Sequence, residues 1–372
     1  MCAVGRVNFR KSAGTRKTRS CWAMGKSVVR DKQTARKVYV TSSEIPPEAI
    51  KILESFRIVT RVNSTPTSPP AEVLRRQVRN IDGLLSMVSD KIDSTLMESA
   101  KCLKVVANMA VGYDNIDLAA ATERGLMVTN TPGVLSETTA DTAMMLILAV
   151  ARRLTEAERL VRDGKWTSWT PKMMAGTDVH GKKLGIYGLG GIGEEVAKRA
   201  IGFDMKVSYF NRKRRPELEQ KYGLTYSGSL DALLREVDFL TIHVPLAQET
   251  RHIIGARELS LMKRSAYLIN TSRGPVVDEE ALVEALKKRR IAGAALDVFQ
   301  TEPLEAESPL LRLENVVLTP HIGSASTETR RAMAVLAAKN IVAALSGKVP
   351  PNLVNREVLS KEWGTSKRLR EV

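Results

Sequence analysis

Residues 184–193 read Leu-Gly-Ile-Tyr-Gly-Leu-Gly-Gly-Ile-Gly, and this stretch decides the fold. The apolar run Leu184 to Tyr187 reads as a buried strand, and Gly188, Gly190 and Gly193 follow at G-x-G-x-x-G spacing. Beyond them Val196, Ala197, Ala200 and Ile201 recur at helical spacing. Strand, glycine turn and helix in that order raise a weak glycine pattern to a dinucleotide site. Gly188 permits the tight turn, Gly190 lets a pyrophosphate approach the backbone, and Gly193 lets the helix pack close to the strand. Free N–H groups at the helix start suit phosphate oxygens. The bland reading, a glycine-rich turn without a ligand, does not account for all three parts.

Downstream, strands are expected at 206–210, 239–244, 266–270, 294–299 and 316–319. With 184–187 these make six strands of a doubly wound, parallel-sheet (Rossmann) α/β fold. Upstream, strands at 37–41, 57–60, 83–88, 103–108 and 126–130 alternate with helices, which means a second parallel sheet covered on both faces. Between the two, a long apolar helix is expected from a Ser136 cap to about Arg162, with Gly164 beyond its end and Trp166 and Trp169 in an irregular segment. A last helix spans 327–345 before Pro350-Pro351, which are expected to end the folded part. It needs a partner, and the first domain is the expected one, which would make that domain discontinuous.

The chain of 372 residues has room for two domains. Its net charge is +16, but residues 1–36 hold ten Lys or Arg against Asp31 alone, so +9 belongs to that stretch and +7 to the rest. A solvated tail, or an upstream start with Met24 as the true one, is the bland reading; a transit peptide is the alternative. Nucleic-acid binding is disfavoured, since only Phe9 and Trp22 stand among the ten basic residues, without a regular aromatic interleaving. Cys2, Cys21 and Cys102 are an odd count without C-x-x-C, which speaks against disulfides or zinc and for a reducing, cytoplasmic setting. The longest apolar run, 143–151, is too short for a bilayer.

Ligands of a doubly wound sheet bind beyond the carboxyl ends of its strands. There the chain places Arg273, Glu302 and His321: a cation, a carboxylate and an imidazole on one edge. That set suits reduction of a carbonyl by hydride. The developing oxyanion needs a proton donor that titrates near neutrality, which His supplies. A carboxylate beside it favours the charged ring and orients it, and Arg holds a substrate carboxylate by paired hydrogen bonds. Singly, Arg273 could be a loop ion pair and Glu302 a helix-terminal acid; their coincidence on one edge favours catalysis. Of the other histidines, His180 lies at the wrong edge, His252 in a helix start, and His243 inside a strand as a satisfied core residue. After the second strand, Asn211 stands where NAD enzymes place an acid for the ribose hydroxyls. Arg212 and Lys213 follow it, which favours NADP(H), with NAD(H) the alternative. Charged hydrogen bonds of roughly 1.5–3 kcal/mol each would shift that preference tenfold or more.

These residues bring a resemblance into view. The motifs Val111-Gly-Tyr-Asp-Asn-Ile-Asp117, Gly188 to Gly193, His243-Val-Pro-Leu246, Ile269-Asn-Thr-Ser-Arg-Gly-Pro275, Ala295-Leu-Asp-Val-Phe-Gln-Thr-Glu-Pro303 and Leu318-Thr-Pro-His-Ile-Gly-Ser324 resemble those of the D-2-hydroxyacid dehydrogenases, and within them the glyoxylate/hydroxypyruvate reductases. The resemblance covers about residues 37–355. It implies a flavodoxin-like substrate domain at 37–133 and 324–355, a cofactor domain at 134–323, and tails at 1–36 and 356–372. It implies Arg273 binding substrate, His321 as acid/base paired with Glu302, and the N–H groups of Val111 and Gly112 cradling the carboxylate. Asp297 would hold the nicotinamide amide, with Thr271, Ser272 and Gly323 lining that pocket. Leu189, Gly190, Gly191, Ile192, Val244, Pro245 and Thr250 complete the cofactor contacts. Residues 136–180 resemble a dimer arm, so a homodimer is implied. The expected activity is NADPH-dependent reduction of glyoxylate or hydroxypyruvate, without a metal. Reduction of 2-ketogluconate is the alternative within the family. A nucleotide-sensing scaffold or corepressor is the alternative outside it.

Overall fold

The computed structural model describes residues 35–362. The basic stretch read at 1–36 therefore falls outside them but for its last two positions, as do residues 363–372. The first half runs β1 (Lys37–Val40), α1 (Pro47–Ser55), β2 (Val59–Val62), α2 (Ala71–Gln77), β3 (Gly83–Ser86), α3 (Ser94–Ser99), β4 (Val105–Asn108), α4 (Leu118–Glu123) and β5 (Met127–Thr129). Its five strands pair in parallel in the order β2-β1-β3-β4-β5. The strands from β3 to β5 are apolar and almost wholly buried, as a parallel sheet covered on both faces requires. One face packs on α2, α3 and α4. The other packs on α1 and, from the far end of the chain, α12 (Thr327–Leu345), through Met333, Ala334, Ala337 and Ile341.

Two helices join the sheets, α5 (Ser136–Ala151) and α6 (Leu154–Arg162). The expected single helix breaks because Arg153 sits at φ +54 and clamps Glu156 at 2.6 Å. No glycine or proline marks that break. Ser136 is not the cap either: Leu135 holds that position, and Ser136 is the first helical residue, packed against Gly191.

The second sheet comprises β6 (Lys183–Tyr187), α7 (Gly191–Ile201), β7 (Lys206–Phe210), α8 (Pro216–Tyr222), β8 (Thr225–Tyr226), α9 (Leu230–Glu236), β9 (Phe239–Ile242), α10 (Ala256–Leu261), β10 (Tyr267–Asn270), α11 (Glu279–Lys287), β11 (Gly293–Leu296) and β12 (Val316–Leu318). Its order is β12-β11-β10-β9-β6-β7-β8, all parallel. It has seven strands rather than six. The extra one, β8, is only two residues long, too short to show a period. The chain order reverses between β6 and β9, so the crevice above their carboxyl ends is the ligand position of such a sheet. Apolar layers fill both faces, α5 and α7 on one side and α9 to α11 on the other.

Pro350-Pro351 does not end the folded part. Asn355 is buried and holds β5, accepting the Val128 N–H at 2.8 Å and donating to Leu126 O at 2.9 Å. A short helix, α13 (Val358–Glu362), follows. Among the described residues no helix is long and apolar enough to cross a membrane.

Candidate active site

Backbone geometry builds the β6 turn. Gly188 adopts φ +103, and a Cβ there would lie 2.7 Å from the His243 carbonyl carbon, so only glycine fits. Around Gly190 the space is open, with nothing within 4 Å of the Cβ position. The α7 N-terminus has no side-chain cap, which leaves its first N–H groups for a ligand. An open glycine before an uncapped helix of this length fits a dinucleotide pyrophosphate.

Around the turn, Asn211 reaches back to the loop instead of outward. Its Oδ1 accepts the Leu189 N–H at 2.7 Å. Of the four basic residues that follow, Arg214 pairs with Glu219 at 2.6 Å and Arg215 pairs with Glu217. Arg212 and Lys213 are exposed and form no ion pair among the described residues. Thr250 closes the turn after β9 by donating to Pro245 O at 2.7 Å, and the Ser272 hydroxyl donates to Val244 O.

Three turns at the carboxyl edge carry the ionisable groups. After β10, Asn270 is buried and donates to Arg273 O at 2.9 Å, which shapes the turn. Arg273 donates from Nε to Asp114 Oδ1 at 2.9 Å and from Nη1 to Ser272 O at 2.8 Å. Its remaining nitrogen, Nη2, occupies the space a side chain at 112 would need, so any larger residue there would have to displace the Arg273 guanidinium. Glu302, beyond β11, takes the Phe299 N–H on Oε1 at 3.1 Å and His321 Nδ1 on Oε2 at 2.7 Å. A carboxylate partner assigns the proton of that bond to Nδ1. His321 Nε2 then stays without a protein partner among the described residues, on a side chain that is 31% exposed. Burial alone would raise the Glu302 carboxyl. The hydrogen bond and charge of His321, the Phe299 amide and the charge of Arg273 outweigh burial and hold it below its usual range.

Asp297 is 1% exposed, and both its oxygens serve the turn that carries His321. They accept from Thr319 Oγ1 at 2.6 Å and from the amides of Ile322 and Gly323 at 2.8 Å each. Burial pushes this carboxyl up, against those hydrogen bonds. The His321 backbone is left-handed at φ +54.

The rival histidines separate cleanly. Desolvation pushes the His243 imidazole down to about 3, so it stays neutral beside Thr241 and is no proton donor at pH 7. His252 is not in a helix start: it occupies a left-handed turn before α10 and faces Gln300 at 3.3 Å. Among the described residues no three His, Cys, Asp or Glu side chains cluster as a metal site.

Sequence reasoning gave no role to Asp114, to Asn108 or to Asn130, although all three hold this edge in shape. Asn108 carried a visible signal, a polar residue closing the apolar strand Val-Val-Ala-Asn.

Comparison with known proteins fits this geometry. Residues 144–323 match the D-isomer specific 2-hydroxyacid dehydrogenase, NAD binding domain. The chain is 52% identical over 328 residues to the glyoxylate reductase of Thermococcus litoralis, covering 87% of this chain and 98% of that one. It is 51% identical to that of Korarchaeum cryptofilum, covering 87% and 97%. Among solved structures, a Thermus thermophilus protein superposes with a TM-score of 0.80 at 44% identity, over 86% of this chain and 99% of that one. The NADPH-dependent glyoxylate/hydroxypyruvate reductase of Sinorhizobium meliloti, in complex with NADP and malonate, gives 0.76 at 35%, over 87% and 98%. The chain belongs to the D-2-hydroxyacid dehydrogenase family and is an oxidoreductase that uses a nicotinamide cofactor.

Proposed function

We propose that the enzyme reduces small 2-oxo acids, glyoxylate and hydroxypyruvate first, with NADPH as its preferred cofactor. The observation that carries this is the joint placement of Arg273 against Gly112 and of the Glu302–His321 pair on the same edge. Residues 188–193 would hold the cofactor, which when bound would supply the hydride needed at C2 of the substrate. Arg273 Nη2 and the amides of Val111 and Gly112 take the substrate carboxylate. His321 Nε2 gives its proton to the C2 oxygen as negative charge develops there. Glu302, held as the anion, keeps the ring oriented and compensates its charge. The product is the 2-hydroxy acid, and His321 regains its proton from solvent. In this reading residues 37–133 and 324–355 serve the substrate, and residues 134–323 serve the cofactor.

Two observations support NADPH. The Asn211 position offers no carboxylate to repel a 2′-phosphate, and Arg212 and Lys213 are uncommitted while their two neighbours are paired. The Sinorhizobium meliloti reductase is itself NADPH-dependent. The assay is initial rates with glyoxylate, hydroxypyruvate and 2-ketogluconate, each with NADPH and with NADH. Replacing both Arg212 and Lys213 by Ala should lower kcat/KM for NADPH about tenfold or more and leave NADH nearly unchanged. Equal losses with both cofactors would remove the cofactor claim. Turnover of 2-ketogluconate alone would change the substrate and keep the chemistry. Cofactor binding without any turnover would point to a sensing scaffold.

A homodimer belongs to the same reading. Leu154, Val161, Trp166 and Trp169 are between 55% and 74% exposed, an apolar surface that a second copy would cover. Light scattering should give twice the 40.9 kDa chain mass, and a value at the single-chain mass would refute the dimer.

A further inference from the structure

The amides of Val111 and Gly112 can act as an anion cradle only if their peptide planes face the right way. A trans peptide directs its C=O and N–H oppositely, so whatever holds each carbonyl also aims the next amide. Three groups hold the carbonyls here. Ala110 O accepts the Thr131 N–H at 2.8 Å, which aims the Val111 amide. Val111 O accepts Asn130 Nδ2 at 2.8 Å, which aims the Gly112 amide. Gly112 O accepts Asn108 Nδ2 at 3.0 Å, which aims the Tyr113 amide. None of these three amides donates to a protein acceptor among the described residues.

Both asparagines are themselves fixed. Asn108 is fully buried, and its Oδ1 accepts the Ser86 hydroxyl at 3.1 Å. Its Nδ2 also donates to Asn115 Oδ1 at 3.1 Å. Asn115 in turn donates to Asp90 O at 2.8 Å, and the Asp90 carboxylate accepts the Met87 N–H at 2.7 Å. Asn130 is held from behind: its carbonyl accepts Asn340 Nδ2 at 3.1 Å from the middle of α12. A chain of amide side chains thus runs from α12 and from the β3 turn to the peptides beside Arg273.

We propose that Asn130 and Asn108 are positioning residues that set affinity for the substrate carboxylate, Asn130 by aiming the Gly112 amide through the Val111 carbonyl and Asn108 by anchoring the same residue through its own carbonyl. The claim rests on the reading of the enzyme as a 2-oxo acid reductase. An amide can donate to the carbonyl it holds, whereas a carboxylate of the same shape repels it and releases the peptide plane.

The test is steady-state kinetics of N130D and N130S, with glyoxylate and with its methyl ester, which has no carboxylate. N130D should raise KM for glyoxylate about tenfold or more, as expected when a partly buried hydrogen bond is lost and its carbonyl left facing a carboxylate. It should leave kcat, KM for NADPH and kcat/KM for the ester close to wild type. N130S keeps a donor and should recover part of the loss. N108D should act in the same direction. If its full burial prevents folding, the Asn130 pair decides alone. Equal losses with acid and ester, or a KM for glyoxylate within twofold of wild type, would overturn the proposal while leaving the reductase reading intact. A wild type that reduces no 2-oxo acid would overturn the reductase reading and this proposal with it.

Discussion

Replacing His321 by Asn should lower kcat by about 10²- to 10⁴-fold, the usual contribution of a positioned acid, with little change in KM for either substrate. An asparagine amide can still donate to Glu302 Oε2, where Nδ1 now sits at 2.7 Å. It also tolerates the left-handed backbone at 321. The variant therefore removes the donor at Nε2 while its neighbours keep their hydrogen bonds. No other histidine can substitute, because His243 is held neutral by desolvation, His252 is turned to Gln300 and His180 precedes the amino end of β6, away from the carboxyl edge. Turnover within a few-fold of wild type, from protein with a wild-type melting temperature, would end the case for His321 as the acid.

The second large effect is expected at Arg273. Its Nε and Nη1 are committed to Asp114 and Ser272, which leaves Nη2 fixed beside Gly112 before any substrate arrives. Arg273→Lys keeps the charge and loses the fork, so kcat/KM for glyoxylate should fall by about 10²-fold or more, the size of two charge-assisted hydrogen bonds. Arg273→Ala should be worse, because the unpaired Asp114 then repels the incoming carboxylate. Adding Asp114→Asn to Arg273→Ala should recover part of that loss, and a double-mutant cycle measures how much. Independent, additive effects would show that Asp114 has no part in the site.

Much of this was legible in the sequence because doubly wound sheets put chemistry where strands end. Once the glycine turn after β6 is read, the ends of β10, β11 and β12 follow by counting apolar runs, and Arg273, Glu302 and His321 are what stand there. What escaped was of two kinds. Some features are too short or too plain to mark themselves, such as β8 with two residues or the helix break at Arg153. Others depend on partners distant in sequence. Asn355 ties down β5 from 227 residues away, and Asn340 supports Asn130 across 210. An asparagine looks alike whether it faces water or holds a distant carbonyl. Asn211 shows the same limit. Its identity correctly marked the absence of an acid, but its side chain secures the glycine loop instead of reaching outward.

The left-handed backbone of His321 also bears on how this enzyme can be engineered. That conformation costs a residue with a Cβ roughly 1–2 kcal/mol, and glycine escapes most of the cost. The proposed acid thus occupies a place where the fold alone would choose glycine. A library selected only for heat resistance would tend to discard it, and its most stable members would be enriched in inactive proteins. Selection for durability in this scaffold has to be coupled to turnover, or it will erase the chemistry first.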